Sequence, residues 1–145
     1  MKYQIIYADP PWNFKAWGKQ GKKAPQNHYP CMNDEDIYNL PISGLADENS
    51  ILFMWATYPL LQEALITIKR WGFVYRTVAF TWIKTTKNNK YHMGLGYWTR
   101  ANPEICLLAT KGVMKRISAS VRNLQIYRIR EHSRKPDEIR NMILS

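Results

Sequence analysis

The sequence predicts a single α/β domain in which helices flank an open sheet. Two short apolar runs, Tyr3–Ala8 and Ile51–Ala56, have the composition of buried strands. A third run, Phe73–Lys84, is apolar on both faces for much of its length, and it is preceded by Pro59–Trp71, whose apolar residues recur at helical spacing. Strand, helix and strand in this order predict a βαβ unit with a right-handed crossover. With 145 residues, 46% of them hydrophobic, the chain is expected to form one domain over residues 1–145.

Local signals complete the predicted order of elements. Asn33 can cap a short helix that ends at Pro41, because the acids that follow the cap suit the helix dipole. The run Glu104–Thr110 is typical of a buried strand, and Leu124–Ile129 is typical of an edge strand. Pro136 suits the first position of a final helix.

The charge of the chain indicates its class of partner. Lysine and arginine number 21 against 11 acidic residues, which gives a net charge of +10. Such an excess in a small domain is typical of proteins that bind polyanions, and nucleic acid is the natural candidate. A long basic loop, Asn13–Met32, directly follows the first strand. The alternative for any single cluster is that its charges only keep the surface soluble.

Composition also disfavours several classes of protein. The chain has no run of 18 apolar residues, and Met1 and Lys2 lead straight into a strand rather than into a signal peptide. A soluble, cytoplasmic protein without membrane contact is therefore expected. Cys31 and Cys106 show no metal-ligand spacing and are too few for a disulfide framework, and the three histidines are scattered. No metal site is expected.

The first strand ends abruptly in Asp9, Pro10, Pro11 and Trp12. In an open α/β sheet the ligand crevice lies outside the carboxyl ends of the strands, so Asp9 and Trp12 are expected at its floor. The prolines make the loop stiff and leave its carbonyls as acceptors. A flat group with an NH2 to hold, such as adenine, suits this chemistry. Asp9 and the Pro10 carbonyl would accept its two N–H bonds, and Trp12 would stack on the base, so that catalysis acts by positioning and fixed dipoles.

Four segments resemble one enzyme family, and one of them is HYPCM, which contains Tyr29. DPPW after a short apolar strand is similar to the signature of the amino-methyltransferases that use S-adenosylmethionine to methylate adenine at N6. GLGYWTRANPEICLLATKG and RKPDE resemble later segments of the same enzymes, in the same order. The resemblance implies a Rossmann-like class I methyltransferase sheet, with S-adenosylmethionine as cofactor and adenine in nucleic acid as substrate. An ordinary strand and proline turn would explain DPPW alone.

The resemblance assigns the catalytic and cofactor-binding residues. It implies that the catalytic loop is Asp9, Pro10, Pro11 and Trp12. Asp9 and Lys135 would bind the cofactor, since Lys135 stands at a helix N-terminus and would contact the methionine carboxylate or border the acceptor pocket. The alternative for Lys135 is a solvated residue at a helix cap.

The resemblance also indicates a substrate pocket. It implies that Tyr29, Trp98 and Glu104 border the acceptor base. Arg100 and Asn102 are expected to reach phosphate or base edges. The alternatives are that Tyr29 covers the core and that the segment containing Trp98 is only a loop before a strand.

The end of the chain leaves two functions open. In the family a further strand and loop follow the final helix and hold the cofactor, whereas this sequence stops at Ser145. The sheet is therefore expected to be incomplete at its C-terminus, with an unpaired edge that suits a second copy or a partner subunit. One reading is an adenine methyltransferase acting on DNA rather than RNA, because small members of the family resemble bacterial or phage enzymes. The other is a truncated, catalytically silent subunit that binds nucleic acid.

Overall fold

A computed structural model describes residues 2–12, 32–94, 96, 98–115, 120–130 and 134–144. Five strands lie within these residues: β1 (Tyr3–Ala8), β2 (Ala46–Ala56), β3 (Val74–Thr85), β4 (Glu104–Lys111) and β5 (Leu124–Arg128). The helices there are α1 (Asp34–Tyr38), α2 (Ile42–Leu45), α3 (Leu61–Arg70) and α4 (Asp137–Leu144), and a 3-10 turn, Tyr58–Leu60, leads into α3. The predicted α/β class is confirmed.

The five strands form one mixed sheet in the order β1-β2-β4-β3-β5. β1 runs parallel to β2, and β5 runs parallel to β3. β4 is antiparallel to both of its neighbours, β2 and β3. The strands β2 and β3 of the predicted βαβ unit therefore run parallel to each other, but β4 lies between them.

The predicted helix cap, helix end and edge strand are confirmed. The side chain of Asn33 accepts a hydrogen bond from the backbone N–H of Asp36 at 2.9 Å, so it caps α1. Gly72 follows α3 with a φ of +87°, the left-handed conformation that glycine adopts without steric cost. β5 lies at an edge of the sheet, as predicted.

β1 is a second edge strand, and the prediction that it is buried is wrong. In the part of the chain that the structure describes, β1 pairs only with β2. Its first half faces solvent, with Tyr3 51% and Ile5 40% exposed. Its second half, from Ile6 onward, packs against the core. The strand is mostly apolar along its length, but only its C-terminal half is covered by the core.

The sheet carries a core on each face. On one face α1 and α3 cover strand residues such as Leu52 and Leu107, and the indole of Trp71 donates to the Ile37 carbonyl at 3.0 Å. On the other face α4 contributes Ile139 and Ile143 and packs against aromatic residues of the strands. The strands therefore alternate between two apolar environments, which explains why their sequences are apolar on both faces.

The strand directions bring one end of each of four strands to the same side of the sheet, which we call its carboxyl edge. β1, β2 and β3 all end there, and the antiparallel β4 begins there. The segment that precedes α4 reaches the same edge, because Lys135 contacts the first residue of β4, Glu104. This edge corresponds to the ligand crevice expected from the sequence.

None of the helices in the described residues has the length and apolar character needed to cross a bilayer. Within the same residues, no group of three or more histidine, cysteine, aspartate and glutamate side chains could hold a metal ion.

Candidate active site

Glu104 lies at the centre of a charged network at the carboxyl edge of the sheet. Its two carboxylate oxygens bond to different lysines: Oε1 lies 2.8 Å from Lys84 Nζ, and Oε2 lies 2.5 Å from Lys135 Nζ. The Glu104 side chain is only 8% exposed. Burial by itself raises the pKa of Glu104, but the ammonium groups of Lys135 and Lys84 outweigh this effect and hold the pKa below its usual value. Glu104 is therefore a fixed anion.

Asp9 extends this network from the end of β1. Its Oδ2 lies 3.9 Å from Lys135 Nζ, and its side chain is 48% exposed. Partial burial raises the pKa of Asp9, the ammonium of Lys135 opposes the rise, and the nearby Glu104 carboxylate adds to it. The Asp9 carboxylate is thus incompletely compensated and half-exposed to solvent. Such a group accepts hydrogen bonds or pairs with a cation.

Aromatic side chains support the network from the face covered by α4. Lys135 Nζ lies 5.5 Å from the centroid of the Trp55 ring, and Lys84 Nζ lies 5.2 Å from that of Trp82. The two indoles meet edge to face with centroids 6.1 Å apart. Trp55 Nε1 donates to the Tyr7 hydroxyl at 2.7 Å, and burial raises the pKa of Tyr7 to about 12. The base of the site is therefore rigid and largely apolar.

Lys84, Trp55 and Tyr7 lie in or beneath this network, although their sequence context predicted no role for them. One signal was present for Lys84, since a lysine near the end of a buried strand needs an acidic partner. Nothing in the sequence identified Glu104 as that partner. The contact joins β3 to β4 across 20 residues of chain.

The loop that follows Asp9 is held by its own backbone. The Trp12 N–H donates to the Pro10 carbonyl at 2.8 Å, and the Met32 N–H donates to the Pro11 carbonyl at 3.0 Å. Pro10 is buried and Pro11 is half-buried. The Pro10 carbonyl therefore already accepts one hydrogen bond, and its second lone pair is the acceptor left for a ligand.

Trp12 does not occupy the position predicted for it. Its indole is 4% exposed, packs in the core beneath α1 and α3, and donates from Nε1 to the Trp55 carbonyl at 3.1 Å. A ring buried in this way offers no face to a base, so the prediction that Trp12 stacks on adenine is wrong. The reason is physical: an indole buries a large apolar surface once its N–H finds a partner, and here the backbone of β2 supplies one. Trp12 anchors the loop.

Asn102 likewise serves the backbone rather than a phosphate or a base edge. Its Oδ1 accepts the Lys84 N–H at 2.9 Å. Its Nδ2 donates to the carbonyls of Lys84 at 3.0 Å and His92 at 2.5 Å. With its donors and one acceptor position used in this way, Asn102 ties the end of β3 to the following loop, and the predicted contact with nucleic acid is wrong for this residue.

The remaining predicted substrate residues lie at the surface or outside the description. Trp98 is 79% exposed, and Arg100 is exposed beside it. Both lie between Gly94 and Ala101, whose backbones pair through hydrogen bonds of 2.7 and 3.1 Å. Tyr29 and residues 13–31 around it lie outside the described residues. Of the predicted site residues, the network thus brings together Asp9, Glu104 and Lys135.

Comparisons with known proteins agree on one family. The family model described as MT-A70 matches residues 3–144. The chain is 32% identical, over 93% of its length, to the Type II methyltransferase M.MunI of Mycoplasma sp, of which it covers 63%. It is 27% identical, over 98% of its length, to the N(6)-adenosine-methyltransferase catalytic subunit METTL3 of Homo sapiens, of which it covers 23%. It is 32% identical, over 79% of its length, to the N6-adenosine-methyltransferase non-catalytic subunit MTB of Arabidopsis thaliana, of which it covers 15%. The chain spans less than two thirds of each of these relatives.

Proposed function

The chain belongs to the MT-A70 family, and on this premise we propose that it transfers a methyl group from S-adenosylmethionine to the N6 amine of adenine in nucleic acid. The observation that carries the proposal is the half-exposed Asp9 carboxylate, 3.9 Å from Lys135 at the carboxyl edge of the sheet. We rank DNA ahead of RNA as the substrate. The chain matches the type II methyltransferase at higher identity, and over more of that relative's length, than it matches METTL3.

Asp9 acts on the acceptor amine as a hydrogen-bond acceptor. The exocyclic nitrogen of adenine is a weak nucleophile because its lone pair is delocalised into the ring. Hydrogen bonds from both of its N–H groups, one to Asp9 and one to the second lone pair of the Pro10 carbonyl, favour a more pyramidal and more nucleophilic nitrogen. The stiff loop fixes both acceptors before the substrate arrives, so little reorganisation is needed during the reaction.

The charged residues fit the methionine end of S-adenosylmethionine. Asp9 offers a carboxylate to its ammonium group, and Lys135 offers an ammonium to its carboxylate. When bound, the cofactor supplies a methyl group on a positively charged sulfur. Glu104 holds Lys135 in position, and the buried indoles of Trp55 and Trp82 keep water from the inner side of the site.

A second candidate function is a silent subunit that binds nucleic acid. One observation favours it, since a matching relative, MTB, is named a non-catalytic subunit. The half-exposed Asp9 carboxylate, which Lys135 compensates only in part, favours the enzyme instead, because a protein that only binds phosphates gains nothing from an acid at its binding surface. In either case the edge strand β1 is the surface that we propose for pairing with a second copy or a partner chain.

The test is transfer of labelled methyl from S-adenosylmethionine to DNA and RNA oligonucleotides, with oligonucleotides that lack adenine as blanks. We compare the wild type with Asp9→Asn and Asp9→Ala, and with Asp47→Asn, which removes an acid from the opposite edge of the sheet. Transfer that requires adenine, persists in Asp47→Asn and falls by about a hundredfold or more in both Asp9 variants supports the proposal. Undiminished transfer by Asp9→Asn overturns it. Retained oligonucleotide binding without transfer by the wild type establishes the silent subunit.

A further inference from the structure

A groove of about 480 Å³ opens between the end of β3, the turn that follows it, and β5. Its walls include an aromatic ring, two cations, one anion and apolar surface, supplied by Thr85, Tyr91, Ile126, Arg128, Arg130 and Glu138. Thr85 directly follows Lys84, which bonds to Glu104 in the network beside Asp9. The groove therefore lies at the same end of the strands as the candidate active site, on the β5 side of Lys84.

The backbone of Tyr91 is held in place, although most of its side chain faces solvent. The side chain is 73% exposed, yet its backbone forms an antiparallel bridge with Thr85. The turn between them is closed by hydrogen bonds from the Thr86 N–H to the Lys90 carbonyl at 2.8 Å and from the Asn89 N–H to the Thr86 carbonyl at 3.0 Å. A large ring presented to water on a pinned backbone has little packing to lose and a ready face for a ligand.

The two arginines of the groove differ in how far their charge is compensated. Arg130 lies 3.0 Å from a carboxylate oxygen of Glu138 and 3.8 Å from one of Asp137. Arg128 instead donates at 3.3 Å to the side-chain oxygen of Asn89, a neutral amide. A guanidinium has five donor hydrogens, and a neutral acceptor leaves its positive charge in place. Arg128 therefore suits an external anion.

An exposed aromatic ring on a fixed backbone, in the same groove as an oriented guanidinium, fits a base joined to a phosphate. We propose that this groove binds the nucleotide next to the target adenine, with its base stacked on Tyr91 and its phosphate on Arg128. The proposal rests on the function proposed above and adds a second subsite to it. Any base can stack on the ring, so the subsite adds affinity and aligns the nucleic-acid strand without discriminating among base sequences.

The experiment measures binding of short fluorescent oligonucleotides by anisotropy, which requires no turnover. Each oligonucleotide carries one adenine, and an abasic nucleotide is placed on one side of it or the other, in DNA and in RNA. Tyr91→Ala is expected to weaken binding about tenfold, and Tyr91→Phe, which keeps the aromatic face, less than about twofold. An abasic neighbour on one side should weaken wild-type binding similarly and should have no further effect on Tyr91→Ala.

Arg128→Gln tests the phosphate contact. The slope of log affinity against log salt concentration should become shallower by about 0.7, the value for one contact with a single strand. Lys69→Gln removes a charge from the exposed side of α3 and is the matched control, with a smaller change expected.

Three results overturn the subsite: equal binding by Tyr91→Ala and the wild type, an abasic penalty that persists undiminished in Tyr91→Ala, or equal salt slopes for Arg128→Gln and Lys69→Gln. Because these measurements report binding alone, they stand apart from the methyl-transfer assay. If the wild type transfers no methyl group but the abasic penalty still disappears in Tyr91→Ala, the proposed enzyme activity is refuted and the subsite stands.

Discussion

Lys135 Nζ lies 2.5 Å from Glu104 Oε2, so the residue that precedes the last helix is fixed to the first residue of β4. The same lysine is the cation nearest to Asp9 among the ion pairs of the described residues, at 3.9 Å. The position of the positive charge that Asp9 experiences is therefore set by an acid on a different strand. Glu104 acts on the site through Lys135, as a positioning residue.

Glu104→Gln should destabilise the fold. The change leaves two largely buried ammonium groups, on Lys84 and Lys135, without their shared carboxylate, and the loss of one member of a buried ion pair costs about 3 kcal/mol. Urea denaturation measures the free energy of unfolding. Glu138→Gln, which breaks an exposed pair with Arg130, is the control and should change stability by less than about 1 kcal/mol. Equal effects of the two changes would contradict the importance of the buried network.

Glu104 should also make stability depend on pH in the acid range. Its pKa is lower in the folded protein than its ordinary value of 4.5, so the unfolded chain takes up the proton first as pH falls. The stability contributed by the carboxylate is complete above that value and is lost as pH falls below it. Urea midpoints measured from pH 7 down to pH 3 should fall more steeply in the wild type than in Glu104→Gln. Parallel curves would show that the carboxylate is not an anion stabilised by folding.

Asp9→Asn should raise stability while it removes the proposed activity. The pKa of Asp9 is raised above its ordinary value of 3.8, so folding disfavours the charged form and the cost grows as pH rises through the shifted pKa. A neutral amide of the same shape avoids this cost. Thermal unfolding at pH 7 should give a higher Tm for Asp9→Asn than for the wild type, and the difference should shrink at pH 4. A lower Tm at pH 7 would mean that the attraction of Lys135 outweighs burial.

Trp12→Phe separates an anchoring role from a stacking role. Phenylalanine keeps an aromatic face but removes the donor to the Trp55 carbonyl and part of the core volume, so we expect a loss of about 2 kcal/mol in unfolding free energy. Trp98→Phe, at a side chain 79% exposed, should change stability by less than about 0.5 kcal/mol. If Trp12→Phe kept full stability but bound adenine nucleotides more weakly, stacking would be the better explanation.

Asn102→Ala should loosen the loop between β3 and β4. Three hydrogen bonds from the Asn102 side chain to the backbone of Lys84 and His92 are lost. Trypsin should then cleave after Lys87, Lys90 and Arg100 several times faster, as followed by mass spectrometry, because local opening takes less free energy. Asn123→Ala, at an exposed asparagine, serves as the reference. Unchanged cleavage would show that the bridges of the loop backbone hold it without Asn102.

The sequence was a good guide to local structure and a poor guide to which partner each side chain finds. The bounds of β1 match the prediction, whereas β2 begins at Ala46 rather than Ile51, because its first residues are polar and lie outside the apolar run. The placement of Asp9 and Lys135 at the carboxyl ends of the strands could be predicted, because each lies next to a strong local signal, a strand end or a helix start. The positions of the Trp12 and Asn102 side chains could not be predicted, because their hydrogen-bond partners are not local. The indole of Trp12 turns into the core because it finds a carbonyl 43 residues away.

The position of β4 also determines when the sheet can close during synthesis of the chain. β4 follows both β2 and β3 in the chain yet lies between them in the sheet. A nascent chain that has reached Thr85 holds two strands that cannot yet be joined, and the partner they share arrives with Glu104–Lys111. Closure of the sheet depends on contacts distant in sequence, which form slowly. The charged network can form only once Lys135 has been synthesised, so a nascent chain that ends before this residue lacks it.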